Sequence, residues 1–320
     1  MSETPHVPRS LIDGGEMPAS RGSFDGSWLI EETAGNARLG LRVERLLHEE
    51  KTRYQHIAIY DSPFFGRILT LDGIVMLTER DEFVYHEMLA HVPLCAIERP
   101  RAVLVIGGGD CGVAREVLKH ATIERVVQCD VDERVTRVCE QHFPWVREVE
   151  ADPRTELVFD DGVAYVDAHA GEFDLVVVDS TDPKGCAVEL FSRSFYAKVG
   201  RALKPGGVMT AQTESPHWDA NMVSSIYAEM RAPFRHVSAY LCMVPTYPSG
   251  CFSLAFASDG DVAARLDVDR AHDIGLRCRY YDPDVHRAAF ALPRFARRVI
   301  EDGDNSFERF DARVRVRPGA

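Results

Sequence analysis

Residues 103–120 read VLVIGGGDCGVAREVLKH. An apolar run, a glycine cluster and then apolar positions at helical spacing describe a strand passing through a tight loop into a helix, a common opening of a nucleotide site. At the centre of this loop stands Asp110. A pyrophosphate would meet that carboxylate with like charges a few Å apart, a repulsion of roughly 1–4 kcal/mol near a surface. The loop therefore suits a nucleoside without a phosphate, and a cationic one better still.

Outward from this stretch the pattern alternates. RVVQCDVD, TELVFDD, FDLVVVDSTDP and GGVMTAQ read as strands, with VAREVLKH, RVTRVCEQHF and SFYAKVGRAL as helices. Such alternation predicts an α/β fold, a doubly wound parallel sheet. HVSAYLCMVP and GCFSLAFAS, joined by TYPSG, are close enough in sequence to pair antiparallel. Upstream, RYQHIAIYD and GRILTLDGIVML are short alternating runs broken by SPFFG and by the Asp72-Gly73 turn, which predicts a small β-strand domain over residues 27–80. TERDEFVYHEMLAHVPL then opens a helix, capped at Thr78 or Asp81, with Phe83, Met88 and Leu89 available for an apolar face. Residues 1–26 lack periodicity and are expected to be a flexible tail; residues 81–320 form the larger domain.

Composition narrows the function. The 320 residues are 45% hydrophobic, enough for a substantial core, and the formal net charge of −13 argues against a nucleic-acid partner while permitting a cationic ligand. No apolar run reaches the roughly 18 residues of a membrane span, and the first 30 residues lack a secretory apolar stretch, so a cytoplasmic enzyme is expected. The eight cysteines have neither C-x-x-C pairing nor metal-ligand spacing with histidine, which predicts reduced, mostly buried thiols and no metal site.

Ligands of open α/β sheets bind beyond the carboxyl ends of the strands, and here those ends are acidic: Asp110, then Asp130 and Asp132, then Asp160 and Asp161-Gly162, then Asp179 and Asp182. Each alone is an ordinary N-cap or turn acid; in a row they predict a pocket. Asp130 follows Gly109 by about the 20 residues at which an acid meets ribose hydroxyls in such folds. An adenosylsulfonium compound is thereby favoured over a nicotinamide dinucleotide. Its decarboxylated form, which ends in a bare ammonium, is favoured over one whose carboxylate would oppose Asp110.

Asp179 ends a very hydrophobic strand, where burial raises a carboxyl pKa and holds it rigidly. If the acceptor is an aliphatic amine, with a pKa near the 10.4 of lysine, freeing its lone pair at pH 7 costs about 4–5 kcal/mol. Asp179 is the candidate proton acceptor, and Asp182 the candidate second acid for a diamine. Tyr85 and Tyr247 offer hydroxyls or a cation–π face, with His86 beside Tyr85; Gln55 offers a polar contact to a nucleoside.

Taken together, the order TERDE, GGGD, DSTDP and PTYPSG resembles the polyamine aminopropyltransferases, the similarity running from about residue 28 to 300. The resemblance implies a β domain ahead of a Rossmann-like, methyltransferase-type catalytic domain, assembled as homodimers or homotetramers. It implies transfer of the aminopropyl group of decarboxylated S-adenosylmethionine to putrescine, with no metal or redox cofactor. Asp179 would accept the proton and Asp110 would hold the aminopropyl ammonium. Gln55, Asp130, Asp161 and Gly162 would contact the adenosine. Tyr85, His86, Asp182 and Tyr247 would line the polyamine path together with Ser180 and Thr181 of the DSTDP motif, with Gln212 a further candidate.

The sequence departs from the family pattern in places. Cys111 replaces a glycine, which matters if that position has positive φ. Asp130 stands where glutamate is commoner, and Met76 where glutamine is. Lys184 and Cys186 fall in the segment after DSTDP, Lys184 being expected to face solvent. Competing readings are a small-amine N-methyltransferase, an inactive nucleoside-binding homologue and a nicotinamide dehydrogenase; the first and third conflict with Asp110.

Overall fold

The computed structural model describes residues 21–33, 37–183 and 185–303. Two antiparallel sheets lead the chain: β1 (Arg21–Phe24), β2 (Trp28–Thr33) and β3 (Ala37–Arg42), then β4 (Arg45–Lys51), β5 (His56–Ser62), β6 (Gly66–Leu71) and β7 (Ile74–Thr78). The tail expected through residue 26 is corrected here: Arg21–Phe24 pairs with β2, Arg21 opposite Glu32, and the Phe24 ring meets Tyr60 edge-on at 5.3 Å. RGSF has no alternation to announce a strand; a partner strand and a ring contact define it. Residues 1–20 lie outside the described residues.

Seven strands form the main sheet, in order β10-β9-β8-β11-β12-β14-β13. They are β8 (Ala102–Gly107), β9 (Arg125–Cys129), β10 (Thr155–Val158), β11 (Phe173–Asp179), β12 (Leu203–Gln212), β13 (His236–Met243) and β14 (Cys251–Ser258). The first five are parallel and the β13/β14 hairpin is antiparallel, as the alternation predicts. Strand residues alternate strictly between two cores: Val103, Val105, Leu175 and Val177 face one side, Leu104, Ile106, Val176 and Val178 the other. That is why these strands read as unbroken apolar runs.

Around the sheet pack α1 (Glu82–Ala96), α2 (Gly112–Leu118), α3 (Glu133–His142), α4 (Pro144–Ala151), α5 (Gly162–Ala168), α6 (Arg193–Ala202), α7 (Ala220–Met230), α8 (Val268–Gly275), α9 (Pro283–Ala289) and α10 (Arg294–Asp302). Helix α1 is buried nearly all round, so its polar residues need internal partners. Glu87, for instance, accepts the backbone N–H groups of Arg279, Tyr280 and Tyr281 at 2.8–2.9 Å. Asp81 sits at its N-cap position but its carboxylate accepts from Thr78 and from Thr246, tying the helix entry to the PTYPSG loop.

The C-terminal end of α1 is closed from a distance. Arg270 donates to the carbonyls of Leu94 and Ile97, both at 2.7 Å, and of Glu98 at 2.6 Å. Charge-assisted bonds to otherwise orphaned carbonyls at a helix end contribute about 1.5–3 kcal/mol each. Arg270→Met is expected to lower unfolding free energy by about 2–4 kcal/mol, read from urea midpoints, with little change in ligand affinity.

Candidate active site

Register brings the acids level. Asp179 on β11 lies opposite Gly107 on β8, Ile106 opposite Cys129, and Cys129 opposite Val158, so the strands end together and the next residues share one rim. The chain moves outward from β8 in opposite directions to β9 and to β11, making this rim the switch point of the sheet. A cavity of about 420 Å³ opens there. Gln55, Asp130, Asp161 and Gly162 line it, as do Tyr85, His86, Asp110, Asp179 and Tyr247, with Ser180 and Thr181.

The glycine loop exists to approach Asp179. Gly108 has φ +61°, and a Cβ there would lie 2.4 Å from Asp179 Oδ2. Asp110 is held at the helix entry: Oδ1 accepts the Gly112 N–H at 2.7 Å, and its carbonyl accepts the Trp145 indole N–H at 2.8 Å. Cys111 has φ 60° and ψ 16°, the left-handed region that the family glycine adopts freely, and is fully buried. Left-handed geometry costs a side chain roughly 1–2 kcal/mol, offset in part by its packing. Cys111→Gly should therefore be less destabilising than Cys111→Ala, which keeps the strain and loses the sulfur; urea unfolding of the two variants checks the order.

Asp179 has one oxygen satisfied and one not. Tyr85 donates to Oδ1 at 2.8 Å, whereas Oδ2 is buried with no hydrogen-bond partner, as is the neighbouring Ser180 Oγ. Buried polar atoms left open in this way mark a place for a ligand. Burial, then the like charge of Asp110, push the Asp179 carboxyl up to about 7, against the opposing pull of His86 and Tyr85. Asp130 is pushed up to about 6, chiefly by burial, while accepting the Asp132 N–H at 2.8 Å. Burial, then the charge of Asp179, raise the Tyr85 hydroxyl, and Tyr247 rises likewise, its hydroxyl donating to the Met76 carbonyl at 2.6 Å. Both phenols thus stay protonated at pH 7, with their O–H groups donating and their rings edge-to-face at 5.8 Å.

Not every expected residue reaches the cavity. Asp182 is half-buried and does not line it; the chain bends there, and the acid that stands near Asp179 is Asp110. Gln212 is also away from the wall, its amide donating to the carbonyls of Ser180 and Thr181 at 3.2 and 3.4 Å and so fixing the DSTDP turn. Asp161 lines the cavity while capping α5 through the Val163 N–H at 2.8 Å. Gln55 donates to Asp132 at 3.1 Å, which anchors the β domain to the sheet edge. Lys184 and the side chain of Cys186 lie outside the described residues.

Sequence reasoning missed the support behind the wall, Glu82, Arg115 and Trp145, and gave Asp132 as a rim acid without its bond to Gln55. Glu82 carried a signal, its i,i+4 spacing from His86. One atom each of His86, Asp110 and Asp179 lie within 4.8 Å of one another, as do atoms of His91, Glu116 and Cys278. In the second cluster Glu116 is already engaged by His91, Arg115 and Lys119.

The spermine/spermidine synthase domain family matches residues 82–266, and the spermidine synthase tetramerisation domain matches residues 27–79. A polyamine aminopropyltransferase of Thermoanaerobacter pseudethanolicus is 42% identical over 275 residues, covering 86% of this chain and 99% of that protein. This chain belongs to the polyamine aminopropyltransferase family. A second relative, from Alkalilimnicola ehrlichii, is 46% identical over 87% of this chain and 99% of its own length. Among solved structures, a spermidine synthase in complex with the transition-state analogue AdoDATO is similar with a TM-score of 0.84 at 38% identity, over 87% of this chain and 96% of that one. The spermidine synthase of Thermotoga maritima gives 0.81 at 36% identity, over 87% and 95%. The aminopropyltransferase fold, a β domain ahead of a methyltransferase-like sheet, is thus the one predicted, and the protein is a transferase. Among the described residues no helix is long and apolar enough to cross a membrane.

Proposed function

We propose that this aminopropyltransferase is a spermidine synthase, moving the aminopropyl group of decarboxylated S-adenosylmethionine to putrescine. The observation that carries the reading is the open, buried Oδ2 of Asp179 in the same cavity wall as the loop acid Asp110. Two carboxylates there match two cationic amines, and Asp130, which lines the same cavity, matches ribose hydroxyls.

In the scheme, the donor's ammonium docks at Asp110 and the acceptor's attacking amine at Asp179. The amine nitrogen bonds to the carbon beside the sulfonium as the carbon–sulfur bond breaks; its electron pair returns to sulfur, giving neutral 5′-methylthioadenosine. Before this attack Asp179 takes one proton from the docked ammonium, which frees the lone pair; the product leaves as a secondary ammonium, and Asp179 returns the proton to solvent. Its carboxyl, raised to about 7, is near the operating pH, where a general base works best. The sulfonium is already activated, so alignment of donor and amine supplies much of the acceleration, and no resident metal or redox cofactor takes part. His86, Asp110 and Asp179 have a spacing a metal would also accept, but the His86 imidazole is pushed up to about 9 and is protonated at pH 7, which suits a carboxylate neighbour and not a metal. The tetramerisation-domain match supports a homo-oligomer, dimer or tetramer.

The test is to incubate the protein with decarboxylated S-adenosylmethionine and a panel of diamines and identify products by mass. Spermidine and 5′-methylthioadenosine are expected, with putrescine the best acceptor. A methylated amine formed from intact S-adenosylmethionine would replace this reading with the methyltransferase one.

A further inference from the structure

The cavity accounts for Asp110, Asp130 and Asp179 but not for the buried charges behind them. Glu82 accepts from His86 Nδ1 at 2.6 Å and from two Arg115 nitrogens at 3.2 and 2.8 Å. Arg115 is gripped again by Glu116 at 2.8 Å and lies over the Trp145 ring at 4.9 Å. Trp145 in turn binds the Asp110 carbonyl, and His86 Nε2 faces Asp110 Oδ1 at 3.4 Å. These contacts close a ring that begins and ends at Asp110. The His86 imidazole is clamped within it: a Cβ on Gly112 would lie 2.2–2.5 Å from three ring atoms.

Clamping fixes which nitrogen can respond. Nδ1–H is committed to Glu82, so only Nε2, the nitrogen facing Asp110, can gain or lose a proton. Burial depresses the imidazolium, but Asp110 and then Glu82 outweigh it, with Arg115 pulling the other way. The charged groups that face the ring are thus Glu82 from α1, Asp110 from the loop, Arg115 from α2 and Asp179 from β11, with the Tyr85 ring edge-on at 5.7 Å. While Nε2 carries its proton it competes with an incoming ammonium for Asp110. Once deprotonated, it offers a lone pair to that ammonium instead.

We propose that Glu82, braced by Arg115, is a positioning residue that holds the His86 tautomer, so that Nε2 sheds its proton to solvent when the donor's aminopropyl ammonium docks at Asp110. The inference rests on the donor assigned above, and it gives Glu82 a part in donor selection without contact with the donor.

Its test has one arm that needs no donor. By NMR titration of the ligand-free protein, Glu82→Gln, which keeps an acceptor for Nδ1–H and leaves Arg115 its bond to Glu116, should lower the His86 midpoint by about one unit or more. Arg115→Gln should raise it. Opposite shifts are not what loosened packing would give, and the second variant keeps the test alive if the first does not fold. In the other arm, calorimetry compares decarboxylated S-adenosylmethionine with 5′-methylthioadenosine, which lacks the ammonium, between pH 7 and 9. The donor's advantage should grow with pH in the wild type and reach its plateau at lower pH in Glu82→Gln, with 5′-methylthioadenosine affinity unchanged. An unmoved His86 midpoint, or equal losses for both ligands, would overturn the proposal. A wild type that binds 5′-methylthioadenosine but not the donor would instead overturn the donor assignment, with the His86 titration still readable.

Discussion

Asp179→Asn is expected to reduce turnover by roughly 10²–10⁴-fold, or about 2.7–5.5 kcal/mol of barrier, the range for loss of a positioned general base. The substitution is nearly isosteric and keeps an oxygen for the Tyr85 hydroxyl, so geometry survives while basicity does not. Stability should move the other way. Folded, the carboxyl keeps its proton up to about pH 7, whereas in the unfolded chain it ionises near 4. The folded state therefore binds more protons between those values, and its stability falls as pH rises through them, the whole penalty being present above 7. Asparagine removes that penalty, so the variant should unfold no earlier than the wild type at pH 8. In the wild type kcat/KM should drop tenfold per unit below about pH 7. Steady-state rates across pH together with thermal unfolding check both signs; undiminished turnover would take Asp179 out of the role.

Asp110→Asn should weaken decarboxylated S-adenosylmethionine by about 10–100-fold, the worth of one hydrogen bond to a charged group, while 5′-methylthioadenosine binds as before. The carboxylate is almost buried and accepts the Gly112 N–H, while the Trp145 indole holds the backbone carbonyl of the same residue, so the amide can occupy the same place and the loss is one of charge. A second effect follows from proximity. Asp110 is the largest charge raising Asp179, and its removal should shift the acid limb of the pH profile downward. Calorimetry with both ligands and the pH profile of the residual activity read the two consequences separately. Equal weakening of donor and product would mean that the loop had been disturbed rather than discharged.

The acidic rim was legible because it follows from backbone rules: strands in register end together, and what ends them shares an edge. Asp110, Asp130, Asp161 and Asp179 converge on one cavity for that reason. Asp182, three residues from Asp179, follows a bend after the strand and is not among the residues lining the cavity, while the acid beside Asp179, Asp110, belongs to a neighbouring strand's loop. The charges of α1 were illegible for a different reason. Nothing in the sequence around Glu82, Glu87 and His91 announces their burial, which depends on Arg115, on the backbone of Arg279–Tyr281 and on Glu116, partners that only the fold brings near. Arg21–Phe24 likewise became a strand through pairing with β2 rather than through any pattern of its own.

Everything about donor choice reduces to whether this rim receives a bare ammonium and rejects a carboxylate. Titrating the wild-type protein calorimetrically with S-adenosylmethionine and with its decarboxylated form, at one pH and salt concentration, measures that directly. The decarboxylated compound should bind at least about tenfold more tightly, the equivalent of 1.4 kcal/mol. Equal affinities, or a preference for the intact compound, would contradict the account.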